Sequence, residues 1–232
     1  MRAPLVIAVA QPPSVSYDVA ANAATHAATI RAADARVVVF PELSLTGYEL
    51  DAPAVSAEDP RLLPIVQACA ETGSLALVGA PVQDETGQAH IGMLAVQVTG
   101  ATVAYHKMWL GGAEPKRFTP GSKPAVLEVD GWRLGLVIGK DTGIARHATD
   151  TAALGIDVYL AGVLELAEDA AVKTSGPAAW PPTTRSGWRW PASPDQPGAA
   201  TPRLLAGRAS GRLMASCSPR QDRRPARSYA QC

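Results

Sequence analysis

The 232-residue sequence lacks several signatures, and each absence closes off a class of function. It has no glycine-rich phosphate loop and no dinucleotide fingerprint, so nothing in it builds a nucleotide cradle at a helix start. Its four histidines, His26, His90, His106 and His147, show no metal spacing with cysteines or acids. No metal and no other cofactor is therefore expected. No apolar run reaches the roughly 18 residues that a membrane helix needs, and no membrane partner is expected. The opening MRAPLVIAVAQPP has neither the apolar length nor the cleavage pattern of a signal peptide and reads as a first buried strand. Cysteine is scarce: Cys69, Cys217 and Cys232 are an odd number without framework spacing. That argues for a reducing, cytoplasmic setting.

What is present describes one sizeable globular domain. Hydrophobic residues make up 47% and charged residues 18% of the chain, the balance of a soluble fold with a real core. PLVIAVAQ at 4–11 is a continuous apolar run of the kind a strand buried on both faces shows. Asp18 caps a helix running to about Ala33. RVVVFPEL then reads as a β-branched strand stopped by Pro41. Pro60 opens a helix that Gly73 ends, and SLALVGAP follows as another buried strand. HIGMLAVQV and ATVAYHK form a hairpin about Thr99–Gly100; AVLEV and WRLGLVIG form a second about Asp130–Gly131. A helix from about Ala145 to Leu154 ends at Gly155 and leads into IDVYLAG. The class is α/β, with sheets covered by helices.

The zero net charge conceals an asymmetry. Residues 1–172 hold 11 basic and 19 acidic side chains, a balance of −8, whereas residues 173–232 hold 10 basic and 2 acidic, a balance of +8. The last 60 residues contain no Val, Ile or Phe but nine Pro and nine Arg, with Trp180, Trp188 and Trp190 in no periodic pattern. Such a segment buries too little apolar surface to offset chain entropy, and by itself it is expected to be disordered. The domain division is thus 1–172 and 173–232. Arginine mixed with tryptophan suits single-stranded nucleic acid in composition. The basic residues follow no motif, and no nucleic-acid partner is expected.

Four segments carry chemistry. Glu42, in VVVFPELSLTGYEL, stands just past a buried strand, where the strand fixes a carboxylate and burial raises its pKa as a general base requires. An arbitrary glutamate there is more often a solvated loop residue. Lys107, in YHKMWL, stands at a strand end beside aromatics, placed to offer positive charge to an oxyanion; alone it reads as a surface lysine. Glu114 precedes Phe118 and a Pro–Gly turn, in a loop packed back on the fold. Residue 139 occupies the elbow between a hydrophobic strand and a helix, where a nucleophile is exposed and close to helix N-terminal amides. It is glycine. Cys69, in the helical run IVQACAETG, reads as a small buried hydrophobe and not as a replacement.

In this order and spacing the four segments resemble the nitrilase superfamily of carbon–nitrogen hydrolases, over residues 4 to about 172. The resemblance matches the family's base glutamate to Glu42 of Phe40-Pro41-Glu42, and its lysine to Lys107 of Tyr105-His106-Lys107. It matches a second glutamate to Glu114, ahead of Phe118-Thr119-Pro120-Gly121. The cysteine frame matches Gly135-Leu136-Val137-Ile138, then residue 139, Lys140 and Asp141. The resemblance implies an αββα sandwich, here incomplete at its C-terminal end, a homodimer or larger assembly, and a small linear amide or nitrile as substrate. In such enzymes the cysteine thiolate attacks the carbon, the glutamate shuttles protons and the lysine steadies the tetrahedral intermediate. With Gly139 at the cysteine position, this chain is expected to be inactive, as a hydrolase by descent or as a non-catalytic ligand-binding scaffold.

The tail suggests its own origin. Back-translating GPAAWPPTTRSGWRWPAS with GC-rich codons and reading two nucleotides later permits ARRVAADHAVWVALAS, a helix–strand pattern. A frameshift near residues 170–176 is the expectation, and it accounts together for the Trp/Arg/Pro bias, the absent Val and Ile, and the charge jump. Sequencing the gene tests this: the shifted frame should encode a patterned continuation, and codons unable to yield it would end the idea.

Overall fold

The computed structural model describes residues 3–164 and the backbone of two further strands, Leu205–Arg208 and Leu213–Ala215. Strand β1 (Val6–Val9) leads into helix α1 (Val19–Ala33), whose cap is Asp18 accepting from the Ala21 amide at 2.9 Å. Strand β2 (Val37–Val39) follows. A 3-10 turn at Pro60–Leu62 opens helix α2 (Leu63–Thr72), which Gly73 ends in the left-handed region. Strands β3 (Leu75–Gln83), β4 (Ala89–Gln97) and β5 (Gly100–His106) then run consecutively. The second half is the hairpin β6 (Ala125–Val129) and β7 (Trp132–Ile138), helix α3 (Ala145–Ala153) and β8 (Val158–Gly162). Leu205–Arg208 is β9 and Leu213–Ala215 is β10.

These strands form two sheets, ordered β5-β4-β3-β2-β1-β9 and β10-β8-β7-β6. β1, β2 and β3 pair in parallel, while β3–β4 and β4–β5 are antiparallel. In the second sheet β7 and β8 pair in parallel across α3. Because side chains alternate along a strand, each continuous apolar run feeds two cores at once. Ile7, Val37, Val39, Leu75 and Leu77 meet Leu134, Leu136, Ile138 and Leu160 between the sheets. Their neighbours Ala8, Val38, Ala76 and Val78 face Ala23, Ala27, Ile30 and Ile65 of α1 and α2. On the far side Val137, Tyr159 and Ala161 pack with Ala148 of α3. The layers are helix, sheet, sheet, helix, so the chain is an α/β sandwich.

The Asp130–Gly131 turn sits where the sequence places it, with Val129 paired to Trp132 and both turn residues at positive φ. The first hairpin turns one residue earlier than expected. Gln97 pairs with Gly100, so the loop is Val98–Thr99 and Gly100 begins β5. Gly100, at φ +118, still supplies the left-handed residue of the connection, as the residue that follows the two-residue loop. The expected unpacked tail at 173–232, with its tryptophans, lies outside the described residues apart from β9 and β10. The backbone of β9 pairs with β1, and that of β10 with β8. No helix among the described residues is long and apolar enough to cross a membrane.

Gly79 in β3 decides where the segment after β2 can lie. A Cβ there would overlap Pro41 O and Leu43 N and stand 2.9 Å from the Glu42 carbonyl carbon, so the backbone around Glu42 rests directly on the glycine. Gly79→Ala should lower unfolding stability by about 1–3 kcal/mol, the usual cost of forcing extra volume into a packed core. Gly143→Ala, which meets nothing within 4 Å, should stay within about 0.5 kcal/mol. Urea midpoints of the two variants check this.

Candidate active site

Glu42 is placed by the abrupt end of β2. Phe40 still bonds to β3 (N to Leu77 O, 2.8 Å), and Leu45 N returns to Gly79 O at 3.0 Å. Between them Leu43 takes φ +50 and the chain turns with Glu42 pointing inward. Ser44 is held from the helix side. His26 donates through Nδ1 to Asn22 O at 2.5 Å, so its Nε2 accepts the Ser44 hydroxyl at 2.9 Å. Burial pushes His26 down to about 4, against the pull of the Asn22 carbonyl, and the ring stays neutral as this bonding requires.

Lys107 follows β5 directly, its amide bonded to Ile91 O at 2.8 Å and its carbonyl accepting from Gly121 N at 2.7 Å. Two residues earlier, Tyr105 points to the same face. Glu114 begins a 3-10 turn (Glu114–Lys116) and accepts the Gly111 amide at 2.8 Å, which folds the intervening loop back on itself. The structure brings these side chains to one point. Lys107 Nζ donates to Glu42 Oε1 at 2.6 Å and to Glu114 Oε1 and Oε2 at 2.7 and 2.8 Å. Glu42 and Lys107 are each 2% exposed and Glu114 5%, so the solvated-surface readings that each invites singly do not apply.

Residue 139 completes the group. β7 ends at Ile138, and Gly139–Gly143 forms a 3-10 turn leading into α3. Gly139 has φ +46, and a Cβ on it would overlap Glu42 Oε2, with Glu42 Cδ at 3.0 Å and Lys107 Nζ at 3.1 Å. The carboxylate of Glu42 therefore fills the space that a side chain at 139 would take.

One ammonium between two carboxylates leaves an excess of negative charge in a dry site. Burial pushes Glu42 up to about 7, opposed by Lys107 and reinforced by Glu114 and Asp141. Burial alone would pull Lys107 down, but Glu42 and Glu114 outweigh it and hold the ammonium above its ordinary range. Among the described residues no group of three or more His, Cys, Asp or Glu could hold a metal ion.

A second buried network adjoins the first. Asp141 accepts the Tyr105 hydroxyl at 2.7 Å and the Trp109 amide at 2.7 Å, with Met108 N and Ile138 N each at 3.4 Å. Because the Tyr105 proton goes to Asp141, the Tyr105 oxygen accepts from His147 Nε2 at 2.8 Å, and His147 Nδ1 accepts the Tyr159 hydroxyl at 2.6 Å. Every hydrogen bond in this chain then points toward the carboxylate. Sequence reasoning had named Asp141 only as part of a motif frame and His147 only as a residue without metal spacing. The two-residue spacing of Tyr105 and Lys107, which sets both on one face, is the sequence signal that could have found this region.

A strand-end glutamate, a lysine and a strand-to-helix elbow thus meet inside a helix–sheet–sheet–helix sandwich. The chain belongs to the carbon–nitrogen hydrolase family, whose model matches residues 6–189. It is 29% identical over 163 residues to the "Hydrolase in pqqF 5'region" of Pseudomonas protegens, a stretch covering 66% of this chain and 57% of that one. The chain thus spans little more than half the length of that curated relative. Among solved structures, XC1258 of Xanthomonas campestris is a CN-hydrolase superfamily protein with an arsenic adduct in its active site. It superposes with a TM-score of 0.64 at 17% identity, over 75% of this chain and 69% of that one. A mutant amidase of Nesterenkonia sp. AN1 in complex with butyramide gives 0.63 at 23% identity, over 72% and 68%. At such identities the likeness is one of fold.

The raised Glu42 has a consequence for stability. An acid whose folded value lies above its unfolded value of 4.5 contributes fully below that pH, and the contribution is lost as the pH rises to about 7. His26, depressed instead, acts with the opposite sign, so the informative quantity is a difference between variants. Between about pH 4.5 and about pH 8 the unaltered chain should lose up to about 3 kcal/mol more stability than Glu42→Gln. Urea unfolding at both pH values checks this, and parallel pH dependence would contradict it.

Proposed function

We propose that this chain is a carbon–nitrogen hydrolase by descent, built for a small linear amide or nitrile, that does not turn its substrate over. The roles follow the chemistry of each group. Glu42, raised toward neutrality, suits general-base and general-acid work on the nucleophile and the departing amine. Lys107 supplies fixed positive charge where a tetrahedral oxyanion would form, and Glu114 holds that ammonium in place. With a thiolate at 139, sulfur would add to the amide carbon and ammonia would leave with a proton from Glu42. Water deprotonated by Glu42 would then cleave the thioester. Gly139 has no atom for the first step. Loss of a nucleophile removes several orders of magnitude of rate even where binding groups survive.

The observation that carries this reading is that a Cβ built on Gly139 would overlap Glu42 Oε2 and stand 3.1 Å from Lys107 Nζ. A second reading, a scaffold that binds a small ligand without chemistry, is supported by the intact Glu42–Lys107–Glu114 cluster. Ammonia release from propionamide, butyramide and acrylamide should be absent for the purified chain and appear with Gly139→Cys, whose thiol must displace the Glu42 carboxylate. Turnover by the unaltered chain that Glu42→Gln abolished would overturn the proposal. Calorimetric binding of butyramide without ammonia release would favour the second reading.

A further inference from the structure

Glu42, Lys107 and residue 139 come from three separate elements, and the cluster alone does not explain what holds the last two at a fixed spacing. Lys107 is followed by the segment 108–111, and residue 139 by the turn 139–143. The only side chain described as bonding backbone on both sides of this seam is that of Asp141. It accepts from Trp109 N at 2.7 Å and Met108 N at 3.4 Å on the lysine side, and from Ile138 N at 3.4 Å on the elbow side. Met108 and Ile138 are the immediate chain neighbours of Lys107 and Gly139. The Tyr105 hydroxyl adds a fourth bond from the strand that delivers the lysine. Outside this knot Lys140 Nζ reaches Leu110 O at 2.8 Å, so the two residues after 139 both grip the segment after 107.

We propose that Asp141 is a positioning residue that sets the distance between Lys107 and residue 139, with its own carboxylate oriented by the chain Tyr159–His147–Tyr105. A lone buried carboxylate can rotate among donors. Here Tyr105 and Trp109 take separate oxygens, Oδ2 and Oδ1, which fixes the plane of the group. His147, fully buried, fixes Tyr105 in turn. Burial is the larger influence and holds Asp141 above the ordinary carboxylate range, against the Tyr105 hydroxyl and the Trp109 and Met108 amides, which pull it down. The alternative, that Asp141 merely completes the core, predicts a stability loss with no effect on the 107–139 spacing.

This inference rests on the reading of residue 139 as the nucleophile position, but its test needs no turnover. In a Gly139→Cys background the introduced thiol lies beside Lys107, and its alkylation by iodoacetamide, followed at that peptide by mass spectrometry across pH, reports the spacing. Adding Asp141→Asn should slow alkylation at least about tenfold and raise its pH midpoint, since small misplacements of reacting groups are costly. Tyr105→Phe, which keeps the ring in the core, should give the same direction with a smaller effect. Tyr159→Phe, which removes the bond that orients His147, should shift the alkylation profile in that same direction by less than Tyr105→Phe does. If Asp141→Asn does not fold, Tyr105→Phe carries the test. An unchanged rate and midpoint in a folded Asp141→Asn or Tyr105→Phe variant would overturn the proposal, as would an introduced thiol no more reactive than buried Cys69. If Gly139→Cys hydrolyses no amide while its alkylation responds as described, the hydrolase reading fails and this one stands.

Discussion

A single ammonium buried between two carboxylates constrains everything around it. Breaking such a pair inside a protein costs roughly 3–5 kcal/mol, because the partner left behind is an uncompensated charge out of water. Lys107 therefore cannot drift from Glu42 or Glu114, and the elements that bear them cannot drift from one another. The end of β2, the end of β5 and the loop to residue 114 are joined at one atom. The sandwich keeps water away, and dryness makes the geometry strict. Glu42 is the member that yields, because its second oxygen is not bonded to Lys107 and can take up a proton near neutral pH.

How far the sequence discloses this depends on the range of the interaction. Elements set by local physics were legible: the Asp18 cap, the Gly73 and Gly155 helix ends, the Asp130–Gly131 turn and the doubly buried runs of β1, β2 and β3. The hairpin at Val98–Thr99 was misplaced by one residue because register is a property of two strands and glycine preference a property of one. Glu42 and Lys107 lie 65 positions apart, and neither has a local mark that separates a buried charge from a solvated one. Only their order alongside the other segments made them readable. Tyr105, Asp141 and His147 were illegible as a unit, since their bonds span 36 and 42 positions and follow no period.

The two buried networks divide the labour of the site. The ion cluster holds charge that chemistry of this kind needs, and the hydroxyl–imidazole chain holds backbone. They touch only through the stretch from Tyr105 to Trp109 and through the elbow. At the elbow, the side chains of Lys140 and Asp141 make the bonds to the segment after Lys107.

The left-handed backbone at 139 limits which residue can sit there. Any residue with a Cβ pays roughly 1–2 kcal/mol to sit at such a φ, and here it must also evict a carboxylate from beside its counter-ion. Enzymes tolerate this kind of strain because catalysis demands it, and their stability improves when the demand is lifted. Glycine, with no Cβ, meets neither cost, so the turn keeps its backbone and the Glu42 carboxylate keeps its bond to Lys107. A cysteine introduced at 139 would meet both costs at once, so a sulfur there would come with a loss of stability.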